Sequence, residues 1–101
     1  MTEILPFDPM DHLTTDEDHA ALLDDAFAVG DRAVIVHAIR EIARARGMSD
    51  LSVQTGIQRS TLYKALSDDG NPTLDTVLKV MGAMKIQLGA KVAPPEALEQ
   101  A

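Results

Sequence analysis

Leu51-Ser52-Val53-Gln54-Thr55-Gly56-Ile57-Gln58-Arg59-Ser60-Thr61-Leu62-Tyr63-Lys64-Ala65-Leu66 is the stretch whose reading decides the fold. It reads as a short helix, a glycine turn and a second short helix. Gly56 stands where the chain needs a positive φ to swing from one helix into the next. Ser52 is small where the two helices would cross, and Leu51, Ile57, Leu62 and Ala65 are apolar at inward positions. With Leu62 as the inward reference, Ser60 and Lys64 point nearly opposite, Thr61 and Tyr63 flank them, and Gln58 and Arg59 occupy the N-terminal tip. These types suit duplex DNA: Gln pairs with adenine, Arg with guanine, and Ser, Thr and Lys reach phosphates or bases. The competing reading is a plain helical hairpin around a glycine. The small residue, the glycine and the apolar positions agree together, which favours a DNA-binding helix-turn-helix.

Outward from this stretch the chain reads as further helices. Residues 1–13 are broken by Pro6 and Pro9, and Thr14-Thr15-Asp16-Glu17 offers a capping box, with Glu17 three residues after Thr14. Ala20, Leu23, Ala26 and Phe27 follow at helical spacing and are expected to face the protein's own core; Gly30 stops that helix and Asp31 caps the next. There Ile35, Ala38, Ile39, Ile42 and Ala43 form one apolar face, while Arg40, Arg44 and Arg46 sit off it and suit the helix C-terminus before Gly47. Ser49 is expected to cap the helix that ends at Thr55. Ser67-Asp68-Asp69-Gly70-Asn71-Pro72 is turn chemistry. Thr73 caps a further helix whose face is read as Leu74, Val77, Leu78, Met81 and Met84. Ile86, Leu88 and Val92 then alternate with Lys85, Gln87 and Lys91, the period of a β-strand. That strand has no mate in its own chain, so it is expected to pair across a two-fold axis or with a partner's sheet, burying Ile86 and Leu88 in a dimer.

The chain has 101 residues, which is room for one domain, and 46% hydrophobic residues, which is globular. Phe7, Phe27 and Tyr63 are its aromatics, so the core must be aliphatic. The absence of cysteine excludes disulfides, thiolate nucleophiles and cysteine-ligated metals. No apolar run exceeds four residues, as at 33–36, far too short to cross a membrane, and an acidic start does not resemble a signal peptide; the expectation is a cytoplasmic protein. Residues 1–31 carry nine carboxylates and no Lys or Arg, whereas residues 32–66 carry six basic residues against Glu41 and Asp50. Such asymmetry is a partner signal, although an acidic solvated surface is the plainer alternative. His12 and His19 lie among carboxylates without a third ligand at a defined spacing and read as surface histidines; His37 reads as packed or exposed; and no serine has a neighbouring histidine. No catalytic residue, metal or cofactor is expected, and no small-molecule substrate. The chain reads as a non-enzyme.

Residues 32–84, including Gly70-Asn71-Pro72-Thr73-Leu74, resemble the five-helix DNA-binding domain of the Xre/Cro family. More narrowly, the chain resembles the addiction-module antidote proteins, the HigA-like antitoxins. That likeness rests on Leu5-Pro6-Phe7-Asp8, the acidic helix over 16–29, Ile42-Ala43-Arg44-Ala45-Arg46-Gly47-Met48-Ser49, and Leu62-Tyr63-Lys64-Ala65-Leu66-Ser67 with Asp69-Gly70-Asn71-Pro72-Thr73. It implies an all-α, λ-repressor-like helix-turn-helix bundle. Residues 1–31 would be an acidic N-terminal extension with one helix, residues 32–84 the DNA-binding domain, and residues 85–101 a short C-terminal β-strand and tail. It also implies an antitoxin that binds a basic RelE/ParE-superfamily, HigB-like toxin and represses its own operon as a homodimer. Gln58, Arg59, Ser60, Thr61, Tyr63 and Lys64 would bind the operator; Leu5, Phe7, Asp16, Glu17, Asp18 and Leu22 are candidates for the toxin. Met48 departs from the family pattern where a phosphate-contacting Gln is frequent, and Thr55 where an apolar residue is usual. A stand-alone Xre-type repressor without a toxin is the first competing function. A protein-interaction module that has lost DNA binding is the second, disfavoured by the basic Arg59 and Lys64.

Overall fold

In the computed structural model, which describes residues 15–95, five helices follow one another: α1 (Asp16–Val29), α2 (Arg32–Arg46), α3 (Met48–Thr55), α4 (Arg59–Ala65) and α5 (Leu74–Ala83). Three begin at side-chain caps. The Asp18 amide donates to Thr15 Oγ1 at 3.0 Å, the Val34 amide to Asp31 Oδ2 at 3.3 Å, and the Thr76 amide to Thr73 Oγ1 at 3.1 Å. The cap of α1 is thus Thr15, one residue beyond the expected Thr14, which lies outside the described residues. α3 starts at Met48 with no side-chain cap, and Ser49 is already in its first turn. Met48 is buried in the core, which holds that first turn where the cap is missing.

The core is one aliphatic cluster. α2 contributes Ala38, Ile39, Ile42 and Ala43; α3 contributes Met48 and Leu51; Leu62 comes from α4, with Leu66 just beyond it. In α5 the buried stripe is Val80, Met81 and the following Met84, with Val77 packed against it, whereas Leu74 and Leu78 are 68% and 48% exposed. Both stripes have helical period, so periodicity alone cannot choose between adjacent ridges of one helix. α1 packs on α2 and places Leu23 and Ala26 in the same cluster. Leu22 is half-buried against it, whereas Phe27 is 39% exposed, contrary to its expected inward orientation.

No strand forms over 85–92 among the described residues. The chain reverses after α5 on Lys85, a non-glycine residue with φ +59°, while the Ile86 amide donates to Met81 O at 3.0 Å. This left-handed turn costs a non-glycine residue about 1 kcal/mol. It lays Ile86 and Leu88 onto the core, where both are half-buried, and leaves Val92 exposed. The alternation was therefore that of an extended chain burying alternate residues on its own bundle. A ladder also needs a second extended backbone, and none pairs with this one among the described residues.

Candidate nucleic-acid interface

Hydroxyl groups tie α3 to α4. Ser52 Oγ donates to Ile57 O across the turn. Thr55 Oγ1 donates to Leu51 O at 2.7 Å and accepts from the Ile57 amide at 3.2 Å. Thr55, which stands where an apolar residue is usual in the family, stitches the connection, and Met48 is a core residue rather than a surface contact. Gly56 has φ +75°, the left-handed geometry that the sequence requires there. Leu62 and Leu66, both buried, anchor α4 from below.

The opposite side of this unit carries the six candidate DNA contacts. Gln58, Arg59, Ser60, Thr61, Tyr63 and Lys64 are all exposed and lie together on α4 and its N-terminal approach. Arg59 Nη2 donates to Tyr63 Oη at 3.4 Å, and the guanidinium sits 5.5 Å from the Tyr63 ring centroid. This stacking holds the Arg59 fork along the helix surface. Neither Arg59 nor Lys64 makes a salt bridge with a described residue.

The arginines of α2 behave differently, and their use was not legible from spacing. Arg32 Nη1 donates to Gly70 O. Arg40 Nη1 donates to Leu66 O at 3.0 Å and to Asp68 Oδ1 at 2.9 Å, and its Nη2 lies 2.7 Å from the exposed His37 Nδ1. Arg44 pairs with Glu41 at 3.5 Å. Arg46 Nε donates to His19 Nδ1 at 3.0 Å and Nη2 to Asp16 Oδ1 at 2.8 Å. Much of the positive surplus of residues 32–66 thus holds the fold, with Arg32 and Arg40 clamping the turn after α4. The relevant signal is the orphan carbonyls that every helix C-terminus must satisfy. Arg40→Ala is expected to lower stability by about 1–2 kcal/mol, read as the urea midpoint, and Arg40→Lys to recover less than half, since a single ammonium cannot replace both the Nη1 bonds to Leu66 O and Asp68 and the Nη2 contact with His37.

His19 is buried rather than a surface residue, enclosed by α1 and the Arg46 side chain. Among the toxin candidates, Asp16 is engaged with Arg46, Leu22 packs inward, Glu17 is exposed and Asp18 half-exposed, and Leu5, Phe7 and His12 lie outside the described residues. Among the described residues no three His, Asp or Glu side chains gather where a metal could be held, and no helix is long and apolar enough to cross a membrane.

Comparison with known proteins places residues 3–92 within the profile of a family described as "Probable addiction module antidote protein". An uncharacterized protein of Haemophilus influenzae (strain Rd) is 46% identical over 88 residues, covering 86% of this chain and 91% of its own. No solved structure matches the chain significantly.

Proposed function

The chain belongs to the family of probable addiction module antidote proteins, and from that premise we propose that it is the antitoxin of a two-gene module, binding a RelE/ParE-superfamily, HigB-like toxin and repressing its own operon. The observation that carries the DNA-binding half is the exposed row on α4: two cations without carboxylate partners among the described residues, set among hydrogen-bonding side chains on a helix fixed from below by Leu62. An exposed helix carrying such donors and acceptors suits the base edges and phosphates of a major groove. As a homodimer the protein would read two half-sites of one operator. The toxin-facing half rests on the family premise and on the acidic α1, whose outward carboxylates suit a partner that must itself attract RNA.

The test is titration of the full chain against a duplex taken from upstream of its own reading frame. Arg59→Ala is expected to cost about 1–3 kcal/mol against the preferred site and little against scrambled sequence. Lys64→Ala is expected to weaken both and to lower the salt slope by about one. Unchanged titrations for both variants would remove the operator-binding reading.

A further inference from the structure

α1 is apolar on two sides. Leu23 and Ala26 face the core, while Ala20, Ala21, Phe27 and Ala28 line an open groove of about 1000 Å³ between α1 and the extended segment 86–94. A helix with a second apolar face left in water has that face available for a partner. The groove is held open by its own parts. Leu88 is packed on the core at its base, and Lys91 Nζ meets Asp24 Oδ2 at 3.1 Å across its mouth. The alanines make a shallow floor, so the bulk needed to fill it must come from elsewhere.

Asp24 is taken up by Lys91, but Glu17 and Asp25, four residues either side of Ala21 on α1, form no ion pair with a described residue. Asp16, Glu17 and Asp18 lie in the first turn of α1, where negative charge suits the helix dipole, and Asp16 is bound to Arg46. Asp24 and Asp25 lie in the C-terminal half, where the dipole disfavours them, and the last turn holds no cation. A second copy of the chain is a poor occupant, because two such helices would bring the unpaired Glu17 and Asp25 of each against like charges.

We propose that the α1–86–94 groove, centred on Phe27, is the docking surface for the toxin, and that it takes a segment presenting an apolar side chain flanked by Lys or Arg. This rests on the antitoxin reading above. The apolar floor and Phe27 provide the desolvated anchor, and Glu17 and Asp25, which share the Ala21–Ala28 side of α1, provide the complementary rim.

The test uses the full chain co-expressed with the product of the adjacent reading frame in its operon, followed by competition binding of the purified pair. Phe27→Glu is expected to weaken the complex at least about thirty-fold. Ala21→Arg, which keeps an exposed helical position helical, is expected to do the same by bulk and like charge. Val53→Glu, on α3 and far from the groove lining, is expected to leave affinity unchanged. Cooperative thermal melting of each variant reports that the bundle is intact. Wild type that fails to retain the neighbour's product overturns the antitoxin reading and the groove with it. Wild type that binds while Ala21→Arg binds equally well overturns the groove alone. A change of oligomeric state in Ala21→Arg, with affinity intact, overturns it in favour of a second copy.

Discussion

Gly70→Ala is expected to destabilise the protein by about 3 kcal/mol or more, seen as a large drop in urea midpoint. A Cβ at this position would fall 2.1 Å from Ala65 O, 2.6 Å from Ala65 C and 2.9 Å from Lys64 O. All three are backbone atoms at the end of α4, so no side chain can rotate aside. The obstacle is space rather than conformation, since Gly70 is not among the glycines with positive φ. Neither side of the contact is free to yield. The Gly70 amide donates to Ser67 O at 2.9 Å, its carbonyl is held by Arg32, and the Leu66 carbonyl is held by Arg40. Relief therefore requires α4 to move against Leu62 and Leu66, both fully buried. Gly82→Ala is the matched control. A Cβ there meets nothing within 4 Å inside a helix, so it is expected to raise stability by up to about 1 kcal/mol. Equal losses in both variants would show that the close approach at Gly70 does not govern stability.

The contrast between these glycines marks what the sequence could and could not reveal. Local rules carried the helices. Gly56 requires a left-handed turn, Asp31 and Thr73 cap, and the α2 stripe at Ile39, Ile42 and Ala43 is inward as its spacing predicts. The exposed row on α4 was legible for the same reason: with Leu62 fixed inward, the geometry of one short helix determines where its neighbours point. Relations between distant segments were not legible. Gly70 looked like ordinary turn chemistry, and its intolerance comes from the carbonyls of residues 64 and 65. Arg40 read as a cation off the apolar face that suits the helix C-terminus, and Arg32 only as part of a basic segment, yet Arg32 and Arg40 meet acceptors 38 and 26 residues away. The choice between Leu78 and Val80 as the buried ridge of α5 depends on where α3 lies, which no repeat within α5 encodes. The extended run after Lys85 showed its alternation but not its mate, because alternation reports burial on one face and pairing requires a second backbone.

Removing residues 1–29 is expected to unfold the protein rather than release a free four-helix bundle. Residues 1–31 read as an acidic N-terminal extension, but α1 shares the core. Leu23 is 2% exposed and Ala26 4%, within one cluster with Ile39 and Ile42 of α2. Truncating a single buried leucine typically costs about 2–5 kcal/mol. Domains of this size hold only about 5–15 kcal/mol in total. The deletion would strip the whole helix from α2 and also take away His19 and Asp16, leaving the Arg46 guanidinium without its partners. What remains falls in the size range where one small core is marginal without staples, and the chain has no cysteine to supply any. Circular dichroism of the truncated chain is expected to show weak helicity and no sharp melt, and Leu23→Ala in the full chain to lose about 2–5 kcal/mol with a cooperative transition preserved. A truncated protein that melts cooperatively near the full-length midpoint would refute this. The consequence reaches function. If the toxin docks on α1, its binding energy acts on the same core that fixes α4, so toxin occupancy and operator affinity are expected to be coupled through α2. Surface substitutions such as Ala21→Arg are then the right instrument for separating the two activities, because they change what α1 presents to a partner while leaving Leu23 and Ala26 in place.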